Sequence, residues 1–349
     1  MIRVPRGYDL EAMKELAQDL ERWHGRGEKV ALATVVSARR SAPRPIGSKL
    51  AVSESGELAG SVSGGCVEGD VFGQAREVLA GREPRLLQYG ITDDLAFSVG
   101  LPCGGDIEVF VAPEDPAISA RLLDAIERGE RATLVVAIRG ERVGEQALLV
   151  EGGEGIGDPE LAQLPEDELF AQGYGPPPRL IVVGAVDTAE ALCATAKLIG
   201  WRTVVVDARA KFATPERLPS ADEIVLEWPE EAFAQLALDR DDAVVVLTHD
   251  EKFDQPALQG ALAGGAFYVG ALGSRRTQAK RLEKLRESGV CEEALERIAG
   301  PCGLDIGADT PAETALSIVA EIMAVRAGRE GGSLRDAKGA IHAPAPQPA

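Results

Sequence analysis

The second half of the sequence alternates apolar runs with helical patterns, and this alternation limits the fold more than any other feature. The apolar runs are RLIVVG, RTVVVDAR, DAVVVLTHD and AFYVGALGS, and patterns such as TAEALCATAKLIG lie between them. Continuous apolar strands separated by helices are typical of a parallel sheet that is covered on both faces. The sequence therefore predicts a Rossmann-like, doubly wound domain over residues 179–328.

The first half has a mixed pattern. Residues 8–27 place apolar side chains at helical spacing, and VALATVVSA, from Val30, is a β-branched strand candidate. KLAVSESGELAGSVSGG is typical of a hairpin that turns at Ser55–Gly56, and a helix is predicted from about residue 67 to residue 79. These patterns predict an α+β domain over residues 1–150.

Two segments lack a periodic pattern. Residues 151–178 are acidic and rich in glycine and proline, so the sequence predicts a linker there. The end of the chain, residues 329–349, finishes in APAPQPA and is expected to be disordered. A length of 349 residues agrees with two domains.

Composition excludes several classes of function. The formal net charge of -19 argues against a nucleic-acid or anionic membrane partner, which would need dense Lys and Arg. No secretory signal or run of 18 apolar residues is visible, so we expect a cytoplasmic protein without a spanning helix. The five cysteines are widely spaced and form no CxxC, which argues against a disulfide framework. With three histidines, a conventional zinc site has few ligands available.

The first turn of the predicted Rossmann domain has an altered nucleotide motif. Gly184 supplies the tight turn, and Asp207 follows 23 positions later, as expected for an acid that binds a ribose. The second glycine position holds Val186, whose side chain would occupy space where a pyrophosphate approaches the backbone. The turn therefore indicates either a dinucleotide site or a Rossmann-shaped domain with another use.

Two further segments lie at predicted carboxyl ends of strands, where open parallel sheets bind ligands. His249 and Asp250 follow AVVVLT, and they are either functional or an incidental histidine beside a helix cap. Arg275 and Arg276 begin a predicted helix, where cations oppose the helix dipole. They would suit a nearby anion such as a phosphate, or they form salt bridges with carboxylates.

Two cysteines of the first half have similar surroundings. Cys66 follows Gly64 and Gly65 near a predicted helix start, where backbone N–H groups favour the thiolate. Cys103 precedes the glycine pair 104–105 in GLPCGG. The pattern indicates one site built from two loops, or two small buried side chains in tight turns. Cys302, in GPCGLDIGAD, is interpreted as structural.

Several motifs together resemble one family. SAPRPIGSKL, AGSVSGGCVEG, GLPCGG, THD, GALGSRR and GLDIGADTPAETALSIVAEI occur in order across residues 30–327. They look like the XdhC/CoxI family of accessory proteins for molybdenum hydroxylases such as xanthine dehydrogenase and carbon monoxide dehydrogenase. The resemblance implies an N-terminal α+β XdhC/CoxI domain and a C-terminal Rossmann-like XdhC domain, usually in a homodimer.

The resemblance also implies a function. Family members bind the molybdenum cofactor, as molybdopterin or its cytidine dinucleotide form, assist its sulfuration and deliver it to an apo-hydroxylase. A cysteine desulfurase would be a further partner. Cys66 and Cys103 would contact the metal or its sulfur, since thiolates are soft ligands, and Arg275 and Arg276 would suit the pterin phosphate. The family usually has G-A-G-H-V at the Rossmann turn, and residues 184–188, GAVDT, depart from it.

The candidate cofactor contacts are therefore distributed over both halves. They are Arg44, Gly64, Gly65, Cys66, Glu68, Cys103, Gly104, Gly105, Gly184, Asp207, His249, Asp250, Arg275 and Arg276. Two alternatives to a chaperone without turnover stay open. One is an NAD(P)-linked oxidoreductase that uses the Rossmann-like domain, and the other is a thiol redox protein in which Cys66 and Cys103 form a reversible disulfide.

Overall fold

The chain forms two compact units, Met1–Pro176 and Pro177–Ala349. The structure is a computed structural model that describes residues 10–39, 44–90 and 105–337. Within these ranges, none of the helices combines the length and the apolar character needed to cross a bilayer.

The N-terminal unit contains a five-stranded antiparallel sheet in the order β3-β2-β1-β5-β4. Its strands are β1 (Val30–Arg39), β2 (Lys49–Ser53), β3 (Leu58–Gly60), β4 (Arg85–Tyr89) and β5 (Asp106–Pro113). The predicted hairpin is confirmed, because β2 and β3 pair, and its turn lies at Glu54–Ser55, one residue before the predicted position.

Helices cover both faces of this sheet. They are α1 (Leu10–Gly25), α2 (Glu68–Leu79) and α3 (Pro116–Glu127). Alternate residues of β1 point to opposite faces: Ala31 and Val35 share a core with α2, whereas Val30 shares one with α1 and α3. Trp23 of α1 is fully buried in the second of these cores.

A second sheet of this unit corrects one prediction. It has three antiparallel strands in the order β7-β6-β8: β6 (Ala132–Ala137), β7 (Gln146–Val150) and β8 (Leu169–Tyr174). The segment 151–178 is therefore no structureless linker, because it contains β8 and a short 3₁₀ helix, Pro159–Gln163. Pairing with β6 and burial of Tyr174 in the helix-covered core stabilise a strand that composition alone concealed.

The C-terminal unit has a parallel sheet, as predicted, and this sheet has six strands. The strand order is β11-β10-β9-β12-β13-β14. The strands are β9 (Arg179–Val183), β10 (Arg202–Val206), β11 (Glu223–Val225), β12 (Asp242–Val246), β13 (Tyr268–Ala271) and β14 (Ile298–Ala299). The sequence did not predict β11 and β14, which have three and two residues.

Helices lie on both faces of the parallel sheet. They are α4 (Asp187–Leu198), α5 (Pro229–Leu236), α6 (Glu251–Ala263), α7 (Arg275–Glu287), α8 (Glu292–Glu296) and α9 (Pro311–Arg326). Val182 packs in the core with α4 and α9, and its neighbour Val183 packs in the core with α5 and α6. Residues 329–337 contain no helix or strand, and the rest of the predicted disordered tail lies outside the described residues.

Candidate functional site

The loop between β3 and α2 presents the Cys66 thiol at the surface. Gly64, Gly65 and Cys66 are all exposed. The glycines have φ values of 71° and 110°, and a Cβ built on either would meet no atom within 4 Å. Glycine therefore serves the left-handed backbone, and it also leaves open space next to the sulfur.

Glu68, at the start of α2, holds this loop in place. Its carboxylate accepts hydrogen bonds from the Ser61 hydroxyl at 2.7 Å and from the Ser63 and Gly65 amides, both at 2.8 Å. It also accepts a very short hydrogen bond from the Ser63 hydroxyl. Burial opposes ionisation, but these hydrogen bonds outweigh it and lower the pKa of Glu68 to about 2.

The Ser63 side chain extends the same arrangement to the cysteine. Its Oγ accepts hydrogen bonds from the Cys66 amide at 3.0 Å and the Val67 amide at 2.9 Å. The backbone donors of the loop are thus engaged inside the loop, and a ligand would meet the thiol and the open glycine surface instead. Glu68, predicted as a cofactor contact, here binds its own loop.

The second predicted thiol, Cys103, lies outside the described residues, as does Gly104. Gly105 is buried and Arg44 is partly exposed. The free cysteines of the described part are Cys66, Cys193, Cys291 and Cys302. No group of three or more His, Cys, Asp or Glu side chains suited to a metal ion occurs there.

The interpretation of Cys302 as structural agrees with its surroundings. It is buried in the core with α4 and α9, and burial raises the pKa of its thiol to about 12. Burial likewise raises the pKa of the Cys193 thiol to about 12. Both therefore stay protonated at neutral pH, unlike a metal-binding thiolate.

The carboxyl edge of the parallel sheet brings together three of the predicted segments, those that follow β9, β10 and β12. Gly184 has a φ of 109°, and a Cβ there would lie 2.5 Å from Thr248 Cγ2, so the turn after β9 packs directly on the segment after β12. A cavity of about 690 Å³ opens at this edge. It is lined by Val186, Arg209, Leu247, Thr248, His249, Asp250, Glu251 and Lys252.

Asp207, at the end of β10, is fully buried and forms an ion pair with Arg209. Its carboxylate accepts from the Ala185 amide at 2.8 Å, and from Arg209 Nε and Nη2 at 2.9 and 2.7 Å. Burial opposes ionisation, but the Arg209 and Ala185 hydrogen bonds keep the pKa of Asp207 below its ordinary value. Sequence reasoning missed Arg209, although an arginine two residues after the acid in VVVDAR was a usable signal.

The histidine and the neighbouring aspartate have different roles. His249 is exposed at the cavity. Asp250 caps α6, since its carboxylate accepts from the Lys252 amide at 3.0 Å. Asp250 is therefore the helix cap that the sequence offered as one alternative, whereas His249 is an accessible side chain at the cavity.

The arginine pair at the start of α7 is exposed. Ser274 caps this helix by accepting from the Thr277 amide at 3.1 Å. Neither Arg275 nor Arg276 forms an ion pair with a carboxylate of the described residues, so the salt-bridge alternative has no support in the structure.

A buried polar network lies beneath these loops, and sequence reasoning missed it. Asp254 of α6 accepts from Arg281 Nη2 at 2.8 Å and from the Thr248 hydroxyl. Arg281 also donates to the Leu272 carbonyl at 3.2 Å. The network ties the end of β12 to the end of β13, which fixes the base of the loops at the cavity edge.

Comparison with known proteins places this geometry in a family. The model of the XdhC and CoxI family matches residues 23–90, and that of the XdhC Rossmann domain matches residues 180–322. A protein named molybdenum cofactor insertion chaperone PaoD, from Escherichia coli, is 32% identical over 311 residues, which cover 87% of this chain and 86% of PaoD. The chain belongs to the XdhC and CoxI family.

Two further proteins are similar to this chain over most of its length. A protein of Bacillus subtilis, named as a probable component of xanthine dehydrogenase, is 30% identical over 319 residues, covering 86% of this chain and 94% of the relative. A crystal structure of a xanthine dehydrogenase from Bacillus halodurans is 28% identical and superposes with a TM-score of 0.64, covering 91% of this chain and 97% of the other. The Cys66 loop falls inside the first family match, and the cavity edge falls inside the second.

Proposed function

We propose that this protein binds the molybdenum cofactor, assists its sulfuration and inserts it into an apo molybdenum hydroxylase. Two relatives support an accessory role for such an enzyme. One is named a molybdenum cofactor insertion chaperone, and the other a probable component of xanthine dehydrogenase. The proposed client is a hydroxylase of the xanthine dehydrogenase or carbon monoxide dehydrogenase type.

The observation that carries the proposal is the exposed Cys66 thiol on a loop fixed by Glu68. A thiolate is a soft donor, which suits a molybdenum centre rich in sulfur. The open space above Gly64 and Gly65 leaves room for a bulky ligand beside the sulfur. A fixed loop also reduces the conformational entropy lost on binding.

The remaining parts of the site are proposals of the same kind. Cys103 would supply a second thiol to the molybdenum cofactor, and Gly104 and Gly105 would be further contacts. Arg275 and Arg276 are exposed cations suited to a phosphate, such as that of the pterin. We further propose a cytoplasmic homodimer that receives sulfur from a cysteine desulfurase.

The deciding experiment replaces one exposed cysteine at a time. Wild type, Cys66→Ala and Cys291→Ala are each purified after co-expression with cofactor synthesis, and molybdenum and oxidised pterin are measured per chain. Cys291 is the matched control, because it is also exposed and belongs to the other unit. Activation of an added apo-hydroxylase is measured with the same samples.

We expect Cys66→Ala to lose most of the bound molybdenum and pterin, together with activation, whereas Cys291→Ala behaves like wild type. Equal cofactor content and equal activation in wild type and Cys66→Ala would remove the proposed role of this thiol. A wild type without molybdenum or pterin that also fails to activate the hydroxylase would remove the proposed function as a whole.

A further inference from the structure

The function proposed above does not assign a separate ligand to the cavity at the carboxyl edge of the parallel sheet. We propose that it binds a nucleotide that carries a phosphate ester on its ribose, with Arg209 as the residue that selects this phosphate. The ligand class is that of adenosine bisphosphates and of dinucleotides with a phosphorylated ribose.

The topology places the cavity at a binding crevice. In the order β11-β10-β9-β12-β13-β14, the connections reverse direction between β9 and β12. Open parallel sheets bind ligands outside the carboxyl ends of their strands at such a point. The cavity lies there, because Val186 follows β9, Arg209 follows β10, and Thr248 and His249 follow β12.

Arg209 is held in one orientation. Two of its nitrogens bind the buried Asp207 carboxylate, and its guanidinium lies 4.8 Å from the Phe212 ring centroid and 5.3 Å from that of Phe253. The side chain is still 39% exposed and lines the cavity. A planar cation fixed in this way loses little side-chain entropy when it binds a phosphate.

Asp207 is the residue that would otherwise bind an unmodified ribose. Its carboxylate already accepts from the Ala185 amide and from three nitrogens of Arg209, including the Arg209 amide at 2.9 Å. Hydroxyl groups of a free ribose would have to compete with these donors. An adjacent arginine at this position accommodates a ribose phosphate instead.

The other charged side chains around the cavity favour a ligand phosphate near Arg209. His249 and Lys252 line the cavity and add donors near Arg209. Asp250 and Glu251 also line it, but Asp250 is engaged as a helix cap and Glu251 forms an ion pair with Lys284.

The start of α4 suits a pyrophosphate poorly. Val186 occupies the second glycine position, and Asp187 and Glu190 lie in the first turn of the helix. Negative charges there oppose a further anion at the positive end of the helix dipole. The ribose phosphate at Arg209 is therefore the main contact, and the binding energy depends on it.

The test compares two ligands of similar charge by isothermal titration calorimetry on the full chain. Adenosine 2′,5′-bisphosphate carries one phosphate on the 2′ oxygen, whereas adenosine 5′-diphosphate carries both phosphates at the other end. We expect wild type to bind the bisphosphate about tenfold more tightly. Equal affinity, tighter binding of the diphosphate, or no saturable binding of the bisphosphate at about 1 mM would overturn the proposal.

Two variants assign the preference to a residue. Arg209→Gln should reduce the difference between the two ligands to about twofold or less. Arg202→Gln, which removes an exposed arginine paired with Glu223 on neighbouring strands, should keep it. A full preference in folded Arg209→Gln would overturn the assignment. If Arg209→Gln does not fold, the wild-type comparison and the Arg209→Lys variant decide the question. Lysine keeps the positive charge but lacks the planar guanidinium with its paired N–H donors.

Discussion

The Cys66 loop and the loops at the cavity each depend on one carboxylate that accepts several hydrogen bonds, but the two carboxylates differ in their donors. Glu68 accepts only uncharged hydroxyl and amide donors from its own loop. Asp207 accepts one amide from the turn after β9, and a guanidinium neutralises it. The first arrangement presents a thiol to solvent, and the second presents a cation.

The difference shows which part of each site is available to a ligand. In both places, the sequence motif assigns the acidic residue to a ligand, but its carboxylate is hydrogen-bonded to groups of the protein itself. The side chain two positions away, Cys66 or Arg209, is the accessible one. The acidic residue therefore positions a neighbouring functional group of a different chemical kind, a thiol in one site and a guanidinium in the other.

The largest effect is expected at Glu68. Glu68→Gln should lower the free energy of unfolding of the N-terminal unit by about 2–3 kcal/mol, because several donors lose a charged acceptor at once. Glu77→Gln on the same helix is the matched control, since Glu77 pairs with the exposed Arg82, and we expect a change of about 0–1 kcal/mol. Urea unfolding of both variants measures the difference, and equal effects would contradict the anchoring role.

A smaller effect is expected for the ion pair at the cavity. A double-mutant cycle with Asp207→Asn and Arg209→Gln should give a coupling energy of about 1–2 kcal/mol, because the carboxylate is buried while the arginine is partly exposed. The exposed pair Arg202–Glu223 serves as comparison and should give about 0–1 kcal/mol. Similar coupling energies from urea unfolding of the two pairs would remove the distinction.

Wild type and Glu68→Gln should also differ in their dependence on pH. The pKa of folded Glu68 is about 2, below its ordinary value of 4.5, so its charge contributes stability above pH 4.5 that is lost as the pH falls towards 2. The difference in unfolding free energy between wild type and Glu68→Gln should therefore shrink over this interval. Urea unfolding at a series of pH values measures it, and a constant difference would show that the charge is not the cause.

The last prediction concerns the glycine next to the thiol. Gly65→Ala should cost about 1–2 kcal/mol, because an alanine is strained at a φ of 110° even though its methyl group meets no neighbour. Gly73→Ala in α2 has the same open space without positive φ, and we expect it to stabilise by up to about 1 kcal/mol. Thermal unfolding compares them, and a neutral Gly65→Ala would show that the loop conformation is not strained for other residues.

The fold could largely be predicted from the sequence where burial is continuous. The valines of β9, β10 and β12 are fully buried, so their apolar runs reveal the parallel sheet directly. Strand β8 escaped prediction because LFAQGY is short and follows a Gly/Pro-rich segment, and only the distant partner β6 makes it a strand.

The site could be predicted only in part. Motifs at predicted strand and helix ends singled out Cys66, His249 and the arginine pair, and all four side chains are exposed in the structure. The ion pair of Asp207 with Arg209 and the network of Asp254 with Arg281 did not, because their partners depend on side-chain directions in the folded chain. A sequence shows where an acidic residue lies, but not which donor forms a hydrogen bond with its carboxylate.

The position of β8 has a practical consequence for dividing the protein. This strand is the edge partner of β6 and ends only two residues before the unit boundary at Pro176. A recombinant fragment that stops at residue 150 would leave the outer side of β6 without hydrogen-bond partners, which invites aggregation between copies. A fragment that extends to Pro176 keeps all three strands of this sheet and is the better starting point for work on the N-terminal half alone.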